Sequence, residues 1–137
     1  MSFSVDVKKF VAKYNKRFDV ATRELNSAII SSLVYKSPVR RGAFRGNWHV
    51  VVGDVGVPRF DINLLDTDGI LTVAKAERVL DGVVAGDIVN HTNNAPYGPL
   101  LESGSSDQAP DGMVTKTALE FPKFVNEAVA FSRNRVK

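Results

Sequence analysis

An α+β domain is expected for this chain: long N-terminal and C-terminal helices packed on a small, mostly antiparallel sheet, with a short central helix. Three observations carry that expectation. Apolar residues recur at three-and-four spacing over residues 5–35 and again over 113–136, the period of one helical face. Between those stretches, short segments alternate in polarity as half-buried strands do. Turn residues (Gly, Pro, Asn and Asp) separate the segments.

The first helix places Val7, Phe10, Val11, Tyr14, Phe18, Ala21, Leu25, Ala28, Ile29 and Leu33 on one face. Lys8, Lys9, Lys13, Lys16, Arg17 and Arg23 occupy much of the rest. Ser37-Pro38 ends it, because the residue before proline avoids helical dihedrals. A straight helix of that length spans about 46 Å, whereas a compact chain of this size is about 37 Å across. The helix must therefore bend, break or overhang the body, and an overhanging amphipathic helix calls for a neighbour.

Residues 47–52 read as a strand, with Trp48, Val50 and Val52 on one face and His49 and Val51 on the other. The following excursion, residues 54–69, carries Phe60, Ile62, Leu64 and Leu65 with no core of its own. Loops of this length are usually functional or ordered by partners, so this one is expected to order only against a neighbour. Thr72 is the expected N-cap of a helix over 73–83, with Ala76, Leu80 and Val83 inward. A second strand follows over 86–92, then the Asn93-Asn94-Ala95-Pro96 turn. Residues 97–103 suit a short helix or turn. After a polar loop over 104–112, the second long helix runs over 113–134, with Pro122 as a kink or restart.

One domain is the expectation at 137 residues, and 44% hydrophobic residues suffice for its core. The absence of cysteine excludes disulfides, thiolate metal sites and a cysteine nucleophile. No stretch suits a signal peptide or a membrane span, so a soluble, cytoplasmically made protein is expected. Charge is segregated. Residues 1–50 hold ten Lys or Arg against three acids, for +7; residues 51–112 hold three against ten, for −7; residues 113–137 hold five against two, for +3. A basic end and an acidic middle suit contact between copies or with other proteins.

Little in the sequence asks for catalysis. His49 and His91 are too few for a usual zinc site. Ser105, His91 and Asp107 could form a triad on paper, but no nucleophile-elbow sequence surrounds the serine. Gly104-Ser105-Ser106 lacks the Gly-Lys-Ser/Thr ending of a phosphate loop. Neither an enzyme nor a cofactor nor a metal is expected. Arg40, Arg41 and Arg45 crowd the turn after the first helix, where guanidinium forks can hold carboxylates or phosphates. Trp48, directly after them, is expected as a core anchor.

The segment Ser37-Pro38-Val39-Arg40-Arg41-Gly42-Ala43-Phe44-Arg45-Gly46-Asn47-Trp48, after a long N-terminal helix, resembles the Ser-Pro-Val-x-Thr-Gly-x-Leu-Arg-x-x-Trp segment of the neck, minor tail or tail-completion proteins of tailed bacteriophages. Asn93 through Gly104 is similar to that family's Asn-x-x-Pro-Tyr-Ala-x-x-Leu-Glu-x-Gly, and residues 108–114 to the loop that follows it. Arg41 stands where Thr is usual, Phe44 for Leu and Gly98 for Ala. The resemblance implies a structural virion protein: a ring, commonly of six copies, that joins the head connector and adaptor proteins to tail terminator or tail tube proteins and lines the DNA passage. It implies no active site. Pro38, Gly42, Trp48, Pro96, Tyr97 and Gly104 are then framework positions.

In such a ring each copy presents two different surfaces, so a basic patch can meet an acidic one at every contact. Some of Arg40, Arg41 and Arg45, or the lysine-rich side of the first helix, are expected to face acids of the middle segment on the next copy, with Glu102 and Asp107 favoured and Phe60, Ile62, Leu64 and Leu65 as further contact candidates. Non-specific contact of the arginines with packaged DNA is the competing reading. A basic nucleic-acid-binding domain is the alternative function for the whole chain.

Overall fold

A computed structural model describes residues 3–54 and 56–137. It is α+β, as expected. In chain order the elements are α1 (Phe3–Lys36), α2 (Ala43–Gly46), β1 (His49–Val52), α3 (Ile70–Leu80), β2 (Val89–Thr92), α4 (Gly98–Glu102), α5 (Val114–Leu119) and α6 (Phe121–Arg135). β1 and β2 form a two-stranded antiparallel ribbon in which His49 faces Thr92 and Val50 faces His91. Gly53 extends it through its N–H to the Ile88 carbonyl, at 2.8 Å.

α1 is the axis on which the rest packs. α6 returns antiparallel along one side, with the Arg17 guanidinium donating to the Val136 carbonyl at 2.8 Å, and Ser32 meeting Thr117 of α5 at 2.8 Å. α3 lies on another side, where Arg23 donates to the Val83 carbonyl and Ser27 bonds Glu77. The core is Ile30, Leu33 and Val34 of α1 with Phe44, Trp48, Val50, Ala76, Leu80, Val83, Ala95, Ala109 and Met113. Phe124 and Ala128 of α6 are buried as well.

Several expectations are corrected. The first helix is continuous and overhangs: the expected inward residues Val7, Phe10, Val11, Tyr14 and Phe18 are all exposed among the described residues. α2 is a helical turn where the sequence suggested plain loop. α3 starts at Ile70 rather than 73, and Thr72 sits inside its first turn. Its cap is Asp66, whose carboxylate accepts from Gly69 N at 3.1 Å, Thr72 N at 2.7 Å and Thr72 Oγ1 at 2.6 Å. The last helix divides at Glu120, with Pro122 in the first turn of α6, where its missing N–H costs nothing. The strands are shorter than the alternating segments, since Asn47, Trp48 and residues 86–88 lie outside the ladder.

The excursion over 54–69, of which Val55 lies outside the described residues, is also tied to the body more closely than expected. Phe60 packs on the core, and its ring lies 5.7 Å from that of Tyr97, edge to face. Asn47 clasps Asp61, donating from Nδ2 to its carbonyl at 2.8 Å and accepting its N–H on Oδ1 at 2.9 Å. Asp66 N donates to the Gly42 carbonyl at 3.1 Å. Gly42 has φ 92°, and a Cβ there would sit 2.7 Å from Asp66 N, so both the turn and the close approach require glycine.

Candidate functional site

The two sequence segments that resemble the phage family, 37–48 and 93–114, are brought together at the C-terminal end of α1. Ser37 Oγ donates to the Leu33 carbonyl at 2.6 Å and accepts from Trp48 Nε1 at 2.7 Å. Pro38 therefore ends α1 on a buried hydroxyl that also fixes the indole, and Trp48 is 6% exposed. Phe44 lies between Trp48 and Tyr97, with ring centroids 5.9 Å and 6.0 Å away. Asn93 Nδ2 donates to the Phe44 carbonyl at 2.7 Å. Gln108 pairs reciprocally with the Val39 backbone, accepting its N–H at 2.8 Å and donating to its carbonyl at 3.0 Å. Burial raises the Tyr97 phenol above its usual range.

Glu102 is the second organising carboxylate. It accepts from Met113 N at 3.0 Å, Val114 N at 2.7 Å and Thr115 N at 3.3 Å, capping α5. Gly112 has φ 80°, and a Cβ there would sit 2.6 Å from the Glu102 carbonyl oxygen, so this cap closes on a position that favours glycine. Gly104, at φ 94°, turns the polar loop back onto Pro110.

These bonds sort the expected contact residues. Arg45 is half-buried and donates to the Thr67 and Ser37 carbonyls at 2.8 Å and to that of Tyr35 at 3.2 Å. It satisfies backbone acceptors at the end of α1, which moves it from interface candidate to framework. Glu102 likewise caps backbone, and Phe60 packs on the core. Leu64 is half-buried, its carbonyl turned against Gly46. Arg40, Arg41 and Asp107 are exposed and carry no hydrogen bond or ion pair among the described residues. Ile62 and Leu65, 67% and 56% exposed, also remain on the surface. Asn47, Asp66 and Gln108 were not singled out from the sequence. The Asp-Thr-Asp-Gly run ahead of α3 was the available signal for Asp66, as a capping carboxylate before a helix.

An open cleft of about 470 Å³ flanks Arg45, lined by Tyr35, Lys36, Gln108, Asp111 and Lys116 among others. Its cations already have partners: Lys36 pairs with Glu120 at 3.0 Å, and Lys116 approaches Asp111 at 3.9 Å. The Lys36 hydrogen bond holds the Glu120 carboxyl below its usual range. Burial alone would raise Asp66, but bonds from the Thr72 hydroxyl and N–H, from Asp68 and from Gly69 N lower it. Asp66 is thus a structural anion.

The histidines do not converge. Residues opposed in an antiparallel pair share a face and neighbours along a strand alternate, so the register puts His49 and His91 on opposite faces of the ribbon. His91 Nε2 lies 2.9 Å from Asn26 Oδ1 on α1, and burial pushes its pKa down to about 4. The ring is neutral and donates to Asn26. His49 is lowered too, by burial and by Lys75. Among the described residues no group of three or more His, Asp or Glu could hold a metal ion, and no helix is long and apolar enough to cross a membrane.

Comparisons with protein-family models, with curated proteins and with solved structures find no match to this chain.

Proposed function

We propose that this chain is a structural virion protein of the neck or tail end of a tailed phage, a ring-forming subunit that joins head connector to tail around the DNA passage. The observation that carries the reading is the interlocking of its two resembling segments. Ser37, Phe44 and Trp48 from the first meet Asn93, Tyr97 and Gln108 from the second in one framework. Residues that recur in a family for packing reasons belong in such a framework, and its polar groups are used in holding backbone. What remains exposed is suited to contact: Arg40, Arg41, Asp107, Ile62 and Leu65. Segregated charge supports heterologous contact, in which unlike surfaces of successive copies meet.

Negative-stain imaging of the purified protein over a concentration series, beside a duplex-DNA retention assay, tests this. Closed rings, with weak DNA retention at physiological salt, are expected. A monomer at every concentration that holds DNA with a steep loss of affinity as salt rises would replace the reading with the nucleic-acid-binding one.

A further inference from the structure

The overhanging end of α1 is built like half of an interface. Beyond Arg17, which meets the last turn of the body at Val136, the helix continues toward Phe3, and residues 6–16 are all exposed. Val7, Phe10, Val11, Tyr14 and Phe18 are 42%, 60%, 48%, 38% and 59% exposed. At about 100° per residue they fall within one stripe about 100° wide, with Phe10 and Tyr14 in ring contact at 4.5 Å. Arg17 lies over the Tyr14 ring at 5.2 Å. The stripe continues the line of Ala21, Leu25, Ala28 and Ser32, the side of α1 along which α5 and α6 pack. Lys8, Lys9, Lys13, Lys16 and Arg17, against Asp6 alone, make this end strongly basic.

A surface of complementary character lies at the other end of the molecule. Ile62, Leu65, Ile70 and Leu71 are 67%, 56%, 64% and 53% exposed, and Asp61 and Asp68 beside them are exposed acids. This segment sits against the C-terminal end of α1: Asp66 bonds Gly42, Thr67 bonds Arg45, and Gly69 abuts Val34 and Tyr35. From Arg17 to Tyr35 is about 27 Å along the axis. Because α1 is one unbroken helix, a chain cannot fold its own basic end back over that distance. Two basic ends would also repel each other.

We propose that residues 6–18 form a docking arm for a second copy of this chain, seating the apolar stripe on the neighbour's 61–71 segment with Lys8 and Lys13, which flank the stripe, reaching toward Asp61 and Asp68. Each copy then gives an arm at one end and accepts one at the other, which is a heterologous contact that closes into a ring or runs on as a filament. It deepens the proposed function by naming the contact, and shares with it the premise that copies self-associate.

The absence of cysteine from the chain makes cross-linking clean. Phe10→Cys protein is mixed with Leu65→Cys protein at high micromolar concentration and oxidised. A disulfide product containing one of each variant is expected. Phe10→Asp/Phe18→Asp in the full chain, measured in parallel by sedimentation, is expected to weaken self-association at least tenfold with an unchanged thermal midpoint, since both rings are largely exposed. Links only between Phe10→Cys copies overturn the pairing in favour of a symmetric arm contact. Assembly that survives both without mixed links or weakening overturns the arm and leaves the ring reading standing, whereas a monomer throughout removes both. Binding to phosphatidylserine vesicles or duplex DNA, lost in the double variant while oligomeric state stays the same, reassigns the arm to a lipid or nucleic-acid surface.

Discussion

The two halves of α1 share one apolar period but differ in fate. From Ala21 to Val34 the helix is half-buried or buried between α3 and α6, and Ile30 and Val34 are fully enclosed. From Val7 to Phe18 the same period runs on in the open. Periodicity reports that a helix has a face to cover; it does not report whether the cover lies in the same chain. The buried half makes the fold and the open half is available to make an assembly.

Substitutions in the two halves and in the framework at their junction should separate these roles. The largest effect is expected for Gly42→Ala. The positive φ and the contact with Asp66 N together should cost about 4 kcal/mol, read by denaturant unfolding. Stability within 1 kcal/mol of wild type would show that the 42–66 junction gives way easily. Next, Leu33→Ala should lose about 3 kcal/mol through a core cavity, whereas Phe10→Ala should change monomer stability by less than about 0.5 kcal/mol. Equal losses at the two positions would mean that the arm packs on the body after all.

Mild acid should act chiefly through His91, which bonds Asn26 of the buried half of α1. The unfolded ring takes a proton near pH 6.5 and the folded one only at about pH 4. The His91 share of stability is therefore full above pH 6.5, falls as pH drops through that window, and is exhausted below about 4, where protonation of the Asp66 and Glu120 carboxylates lowers stability further. The complete loss is about 3 kcal/mol, with His49 adding in the same direction. Unfolding curves of His91→Gln should be much flatter across the window, and a slope identical to wild type would place the acid-sensitive group elsewhere. Glu102→Ala removes the cap from α5 and should cost about 1 to 2 kcal/mol. A null result in melting would release Glu102 for the inter-copy role first expected of it.

Legibility in the sequence followed the range of the interactions. The long helices, the ribbon, the Pro38 stop, the Pro122 restart and Trp48 as a core anchor could be read because each depends on local pattern. Asp66 displaced Thr72 as the cap of α3 because the two oxygens of a carboxylate offer about four acceptor sites and reach Gly69 N, Thr72 N and Thr72 Oγ1 at once. Arg45 looked like a surface charge, and Glu102 could as well cap backbone as meet an arginine. Their partners, Ser37 and Thr67 for one and Met113 to Thr115 for the other, are backbone groups whose need for acceptors or donors appears only once the helix ends are placed. The exposed stripe of the arm was likewise assigned to the core, although the excess of helix length over body diameter already pointed past it.

Amide exchange along α1, measured in dilute and in concentrated solution, tests most directly whether one helix serves both fold and assembly. Residues 21–34 should be protected to the global limit at both concentrations, and residues 6–16 should exchange rapidly when dilute and slow markedly when concentrated. An arm as protected as the core in the dilute monomer, or one whose exchange ignores concentration, would contradict it.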